Sequence, residues 1–93
     1  MKSYAWNAEK NELLKAERGV SFEDVVFYLE AGHVLEVINH PNQERYPGQM
    51  IYVIAIEDQV CLVPFVESEE EVFLKTISPS RKAKKRYKGG SNG

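Results

Sequence analysis

The 93-residue sequence contains only one cysteine and no long apolar run. A single cysteine excludes an internal disulfide and favours a reducing compartment, so we expect a cytoplasmic protein. No stretch approaches the ~20 apolar residues that cross a bilayer, and the first residues lack a signal-peptide pattern, so we expect no membrane partner. His33, His40 and Cys61 do not have the spacing of metal ligands, and no glycine-rich phosphate loop is present. We therefore expect neither a metal nor a cofactor.

Charge is unevenly distributed along the chain, although the formal net charge is only −2. Residues 1–74 contain five basic and all fourteen acidic side chains, a net charge of −9, and the acids are densest at Glu67–Glu71. Residues 75–93 contain seven basic side chains and no acidic one. Two interpretations of this cationic end stay open: a surface that binds a polyanion, or a solvated tail that keeps the protein soluble.

Two helices are predicted in the first third of the chain. Asn7 is a suitable N-cap for a helix over Ala8–Glu17, and Gly19 occupies the position of a left-handed C-cap. Ser21 caps a second helix, in which apolar residues at helical spacing indicate one buried face and which ends at Gly32.

The middle of the chain alternates with the period of a β-sheet. Predicted strands cover Tyr4–Trp6, Val34–Ile38, Met50–Ile56, Val60–Val66 and Val72–Ile77. The strand Met50–Ile56 is almost wholly apolar, so we expect it to be central and covered on both faces. Pro64 indicates that its strand is an edge, or that it has a bulge or an interruption.

A short basic helix is predicted at the C-terminal end, with Ser78 as its N-cap, Pro79 in its first position and its end near Tyr87. Ala83 and Tyr87 are its main apolar side chains. A helix with so many like charges is unstable alone, so we expect it to dock through these two residues or to bind an anionic partner.

These elements define an α+β fold, in which two N-terminal helices pack on an antiparallel sheet of three to four strands and the short basic helix follows. The chain is too short for a second domain, so we expect one domain over residues 1–88. Residues 89–93 are rich in glycine, serine and asparagine and are predicted to form a flexible tail.

A carboxylate, a guanidinium and a phenol lie together in Glu44-Arg45-Tyr46, just before the strand Met50–Ile56. Glu44 could accept a proton, and Arg45 could bind a phosphate through two hydrogen bonds. The alternative is a surface ion pair with little effect on stability.

Lys75 and the basic residues after it form a second candidate site. Lys75 is expected on the same strand side as Phe73 and Ile77, close to Ser78. The predicted helix places its cations in two stripes, one of Arg81, Lys85 and Lys88 and the other of Lys82 and Arg86. Cations that hold a phosphate, with a base that activates the 2′-hydroxyl, can cleave RNA without a metal, and the composition is compatible with that chemistry.

Four segments follow one another in a recognisable order. They are Trp6 with Lys10, Arg18-Gly19-Val20-Ser21-Phe22-Glu23, Glu44-Arg45-Tyr46, and Lys75-Thr76-Ile77-Ser78 before the basic helix. This order resembles the BrnT family of toxins from bacterial type II toxin–antitoxin systems, and the resemblance covers residues 4–87. Arg18 stands where the family has a histidine, Lys75 where it has an arginine, and Arg81 is one position late.

The resemblance implies a RelE-like fold and a metal-independent endoribonuclease that cleaves RNA and inhibits translation. It also implies a cognate antitoxin with a ribbon-helix-helix domain, through which operator DNA would be contacted indirectly. Position by position, it assigns phosphate contacts to Arg45 and Lys75, the role of base to Glu44, and support of the scissile group to Ser78 and Arg81. The remaining RNA-binding residues are Lys82, Lys85, Arg86 and Lys88.

The departures from the family pattern favour a second hypothesis. Arg18 removes a candidate proton carrier, and Lys75 exchanges a planar fork for a point charge. The alternative is therefore a catalytically silent, toxin-like module that binds a protein partner through its basic C-terminal helix.

Overall fold

The chain folds into three layers, with one β-sheet between helices on both faces. The computed structural model describes residues 2–91, and their side chains as far as residue 87. In chain order, the elements of this range are β1 (Ser3–Trp6), α1 (Ala8–Arg18), α2 (Phe22–Glu30), β2 (Val34–Asn39), β3 (Met50–Ile56), β4 (Gln59–Glu67), β5 (Glu71–Leu74), β6 (Ser78–Pro79) and α3 (Arg81–Ser91).

The strands form one mixed sheet with the order β1-β5-β4-β3-β2, and β6 pairs with β4. β1 runs parallel to β5, whereas the other pairs are antiparallel. The α+β class is confirmed, but the predicted antiparallel sheet of three to four strands was wrong, because the sheet has six strands and is mixed. The two strands of the parallel pair are more than sixty residues apart in sequence, and a pairing over that separation leaves no local pattern.

Both faces of β3 are buried, as its composition predicts. Ile54 is fully buried on the face covered by α1 and α2, together with Phe22 and Val25. Val53 is 4% exposed on the opposite face, which α3 covers. We call these the α1/α2 face and the α3 face. The central position in the sheet belongs to β4, with β3 next to it.

The first two helices begin where their capping residues predict. Asn7 Oδ1 accepts a hydrogen bond of 2.9 Å from the Lys10 backbone N–H, and Ser21 forms a reciprocal capping box with Asp24. Gly19 ends α1 with φ 66°, a left-handed conformation that a side chain would strain.

A buried asparagine joins α1 to α2. Asn11 is 4% exposed; its Oδ1 accepts the Phe22 backbone N–H at 2.7 Å, and its Nδ2 donates to Glu23 Oε1 at 2.8 Å. The second bond lowers the pKa of Glu23. Because Phe22 is fully buried and stacks on Trp6 with ring centroids 5.7 Å apart, this junction also positions the start of the chain.

Three predicted boundaries in the C-terminal segment were wrong. Ser78 and Pro79 form β6 instead of capping a helix, and the strand predicted to reach Ile77 ends at Leu74. Ser80 is the N-cap of α3, because its Oγ accepts the Ala83 backbone N–H at 3.1 Å. Ser78 and Pro79 pair with Leu62 and Cys61 of β4. Because they are in the sheet, they cannot form the first turn of the helix, which the Ser-Pro pattern predicts.

Helix α3 is longer than predicted, because its backbone continues to Ser91 and not only to Tyr87. Residues 92 and 93 of the predicted flexible tail lie outside the described residues. The division into a domain over residues 1–88 and a tail stays a prediction. None of the helices in residues 2–91 is long and apolar enough to cross a membrane.

Pro64 lies opposite a break between β5 and β6. The Lys75 backbone N–H donates to the Pro64 carbonyl at 2.8 Å, and pairing resumes between Ser78 and Leu62. The N–H and C=O of a strand residue point to the same side, so the donor that proline lacks would have faced this break. The break is therefore in the neighbouring strand, whereas β4 is continuous at Pro64 and is not an edge, so the prediction for this strand was wrong.

We expect Asn11→Ala to destabilise the fold by about 1 to 3 kcal/mol, because the buried Phe22 N–H loses its acceptor. Urea denaturation followed by circular dichroism measures the change. The matched control is Asn39→Ala on β2, which is exposed and should shift the unfolding free energy by less than about 0.5 kcal/mol. Equal effects of the two substitutions would contradict the role assigned to Asn11.

Candidate functional site

A one-residue bulge in β2 turns Glu36 towards α3. Val34 pairs with Ile54 and Glu36 pairs with Val53, so Leu35 is the extra residue. Residues directly opposite each other in an antiparallel pair point to the same face, which places Glu36 on the α3 face and Val34 on the α1/α2 face. The alternation in the sequence predicts both on one side, and that prediction was wrong for Val34.

A second irregularity places Lys75 and Ser78 on the same face. Lys75 lies opposite Pro64 and Ser78 opposite Leu62, so residues 76–77 face a single residue of β4. Lys75 Nζ lies 5.5 Å from the centre of the Phe73 ring, as expected from their shared side. Ile77, also predicted on that side, is instead fully buried in the core under α1 and α2.

Helix α3 crosses the strands over one row of the sheet. Glu36, Val53, Leu62 and Ser78 lie opposite one another in β2, β3, β4 and β6. Between α3 and this row is a cavity of about 250 Å³. Its lining residues are Glu36, Ile38, Val53, Leu62, Ser80, Lys82, Ala83, Arg86 and Tyr87. We call this the α3 cavity.

Glu36 connects β2 to α3. The Tyr87 hydroxyl donates a hydrogen bond to Glu36 Oε1, and Arg86 Nη2 lies 3.8 Å from the same oxygen. The hydrogen bond to Glu36 raises the pKa of Tyr87 above its ordinary value, and burial and the charge of Glu36 act in the same direction. The predicted docking through Ala83 and Tyr87 is confirmed, since both line the cavity against the sheet.

Sequence reasoning missed Glu36 and Tyr87 as chemical groups. They are 51 positions apart, and each has a structural explanation when taken alone. The available signal was an acid among the apolar residues of a strand, together with an aromatic residue in a strongly basic helix.

The cations of α3 point to different sides of the helix. Lys82 and Arg86 line the α3 cavity. Arg81 and Lys84 line a separate cavity of about 300 Å³ beside Gln59, where Lys84 Nζ lies 3.5 Å from Asp58. Lys85 is exposed. The side chain of Lys88 lies outside the described residues.

Glu44 and Arg45 are exposed in the loop between β2 and β3. The Arg45 backbone N–H donates to Asn42 Oδ1 at 3.1 Å, and its guanidinium carbon lies 5.6 Å from the centre of the Tyr46 ring. Tyr46 in turn packs on His40 at 4.4 Å between ring centres. No ion pair joins Glu44 to Arg45 in the part of the chain that the structure describes.

The predicted site residues therefore fall into three places. Lys75, Ser78, Lys82 and Arg86 share the α3 face, where the rows of Lys75 and Ser78 are about 7 Å apart along β4. The loop that contains Glu44 and Arg45 precedes the start of β3, whereas Arg81 lies beside Gln59, opposite the end of β3. The seven residues of β3 span roughly 20 Å, so Arg45 and Arg81 lie towards opposite ends of the sheet.

Other residues of the resemblance have structural contacts. Arg18 Nη1 donates to the Ile77 carbonyl, which ties the end of α1 to the segment between Lys75 and Ser78.

Cys61 is 1% exposed, and burial raises the pKa of its thiol. Among the described residues, no group of three or more His, Cys, Asp or Glu side chains converges as a metal site would require.

Comparison with known proteins places the fold. No family model and no curated protein matches the sequence. The structure is similar to the crystal structure of the Brucella abortus ribonuclease toxin BrnT, with a TM-score of 0.63 over 86% of this chain and 97% of that toxin. Sequence identity is 14%, so the similarity shows the fold alone. The resemblance predicted from the motifs is matched by this structural neighbour, whereas the RelE-like description stays a prediction.

The Tyr87–Glu36 contact predicts a stability difference that depends on pH. The raised pKa means that the contact stabilises the fold fully below the ordinary value of 10.0 and that this contribution is lost as the pH rises through the folded-state pKa. At pH 8 the free energy of unfolding of the wild type should exceed that of Tyr87→Phe by about 0.5 to 1 kcal/mol. The difference is small because the contact is partly exposed. At a pH above the folded-state pKa the difference should vanish or reverse, because tyrosinate faces a carboxylate.

Urea denaturation of both proteins at the two pH values measures this difference. The other tyrosines, including Tyr52 with a pKa that burial raises to about 12, are present in both proteins and cancel. A difference that stays constant with pH would show that the hydroxyl contributes nothing through Glu36.

Proposed function

We propose that this chain is the toxin of a bacterial type II toxin–antitoxin system, a metal-independent endoribonuclease that cleaves RNA and inhibits translation. The observation that supports this proposal most is the fold similarity to the Brucella abortus ribonuclease toxin, which extends over 97% of that chain. We further propose that it acts in the cytoplasm and is neutralised by a cognate ribbon-helix-helix antitoxin, which would also mediate any contact with operator DNA.

The distribution of charge supports RNA as the substrate. In this proposal Lys75, Lys82 and Arg86 neutralise phosphates on the α3 face, and Ser78 supports the scissile group from the same face. Within residues 2–87, Lys75 and Lys82 form no ion pair, whereas Arg86 pairs with Glu36. The −9 charge of residues 1–74 repels RNA elsewhere and thus restricts where it binds.

The residues outside that face have roles in the proposal as well. Arg45 contacts a phosphate from the loop between β2 and β3, and Glu44, in the same loop, is the base that the sequence resemblance assigns. Arg81, Lys85 and Lys88 extend the cationic surface of α3. Because Arg45 and Arg81 lie towards opposite ends of the sheet, an RNA strand that contacts both must extend over several nucleotides.

The double variant Arg45→Ala/Lys75→Ala should abolish growth arrest on expression and RNA cleavage in EDTA, because two phosphate contacts are removed at once. The wild type should show both effects. Cleavage is measured by electrophoresis of a single-stranded transcript, and growth by optical density after induction.

The matched control is Lys10→Ala/Lys15→Ala, which removes the same charge from exposed positions of α1, on the opposite face of the sheet. It should arrest growth and cleave RNA like the wild type. Co-expression of a ribbon-helix-helix protein encoded beside the gene should restore growth. Undiminished cleavage by the Arg45→Ala/Lys75→Ala variant would refute the phosphate contacts.

RNA affinity should fall as the salt concentration rises. The slope of log K against log salt should be shallower in the variant Lys82→Gln/Arg86→Gln than in the wild type. Each phosphate contact to a single strand contributes about 0.7 to the slope of log K against log salt, so losing two should reduce it by about 1.4. Fluorescence anisotropy with a 2′-O-methyl RNA at several KCl concentrations measures the slope. An unchanged slope would mean that neither side chain contacts RNA.

The second candidate function is a catalytically silent, toxin-like module that binds a protein through α3. The observation that favours it is the occupation of part of the helix by the protein's own acids, at Asp58 and Glu36. Such a module would leave RNA intact and would not arrest growth. RNA turnover by the purified wild type would exclude it.

A further inference from the structure

A carboxylate and a phenol meet beneath α3, although neither belongs to the site predicted from the sequence. The Tyr87 hydroxyl donates to Glu36 Oε1, and Arg86 Nη2 lies 3.8 Å from that oxygen. Within the described residues, Glu36 Oε2 makes no hydrogen bond and no ion pair. This second oxygen is therefore available to accept a proton from a bound molecule.

The α3 cavity offers space beside this pair. Its floor is apolar, formed by Ile38, Val53 and Leu62, while Lys82 and Arg86 supply two cations. An apolar floor suits a ribose and the face of a base, and the cations suit the phosphate that follows. The volume of about 250 Å³ is below that of most drug-sized sites, so the cavity can take part of one unpaired nucleotide but not a base pair.

We propose that Glu36 and Tyr87 are the general base and the general acid of RNA cleavage, acting on a phosphodiester that Lys82 and Arg86 hold at the α3 cavity. This inference rests on the proposed ribonuclease function and names the groups that perform its proton transfers. It gives the role of base to Glu36 in place of Glu44.

The reaction balances without a further reactant. Glu36 Oε2 takes the proton of the 2′-hydroxyl, the O2′–P bond forms and the P–O5′ bond breaks. Tyr87 gives its proton to the departing O5′, which leaves a 2′,3′-cyclic phosphate and a 5′-hydroxyl. Glu36 is then protonated on Oε2, and rotation of its carboxyl group brings this proton to the Tyr87 phenolate, so the pair is restored within one turnover.

The surroundings of the two candidate bases differ. Glu44 is exposed and has no ion pair or side-chain hydrogen bond within the described residues. The side chain of Glu36 is 37% exposed, and a guanidinium and a phenol lie next to its carboxylate. A carboxylate held by these two neighbours has a fixed position, which a general base needs and which a carboxylate without partners lacks.

The same contacts also anchor α3, so lost activity alone would not distinguish catalysis from docking. Asp58 provides the matched control, because it pairs with Lys84 on the same helix and does not line the α3 cavity. Asp58→Asn removes a carboxylate that holds α3 without touching the proposed acid–base pair. Glu36→Gln keeps an oxygen that accepts from Tyr87, and Tyr87→Phe keeps the ring against the sheet.

The experiment compares the full chain with Glu36→Gln, Tyr87→Phe, Glu44→Gln and Asp58→Asn. One measurement is cleavage of a single-stranded transcript in EDTA, with the product ends identified. The other is the Kd for a 2′-O-methyl RNA of the same sequence, which lacks the nucleophile. We expect Glu36→Gln and Tyr87→Phe to slow cleavage about 100-fold or more. Their Kd should stay within about threefold of the wild type, and Asp58→Asn should match it in both measurements.

Three results would overturn the assignment. If Glu36→Gln cleaves at the wild-type rate while Glu44→Gln is inactive, the role of base returns to the loop. If both Glu36→Gln and Tyr87→Phe lose RNA binding together with cleavage, the two residues have a docking role alone. A wild-type chain that leaves RNA intact overturns the proposed function as well, and this result is distinct because it involves no substitution.

Discussion

The rest of the structure depends on the fact that β3 and β4 are apolar on both faces, so both faces must be covered. On one face α1 and α2 supply large apolar side chains, and Phe22 and Val25 are fully buried there. On the other face α3 supplies little more than Ala83 and Tyr87. The helix therefore covers the sheet incompletely, and the α3 cavity is the space that its small apolar surface leaves unfilled.

Polar contacts complete the attachment that apolar contacts leave weak. Neighbouring like charges destabilise α3, and two acids of the sheet layer, Glu36 and Asp58, offset part of that repulsion from opposite sides of the helix. Of the other cations of α3, Arg81, Lys82 and Lys85 form no ion pair with side chains of the described residues. One helix thus combines a positively charged exterior with an anchored interior, and this combination suits a surface that binds a polyanion.

The sequence predicts those parts of the fold that local chemistry specifies. The caps at Asn7 and Ser21 and the left-handed Gly19 mark α1 and α2 correctly, because capping involves residues three or four positions apart. The bulge at Leu35 and the break after Lys75 could not be predicted, since register depends on a partner strand. These two irregularities decide which side chains face α3, so the candidate site was harder to predict than the fold.

The same distinction explains why sequence reasoning preferred Glu44-Arg45 to Glu36 and Tyr87. Adjacent charged residues form a visible motif, whereas a pair 51 positions apart becomes a unit only when a bulged edge strand and the last helix meet. In the structure, the contact that anchors α3 is also the one proposed to transfer protons. A chain in which α3 is detached would therefore keep its base on β2 but separate it from its acid and from two phosphate contacts, so the docked state of one weakly held helix would control the whole activity.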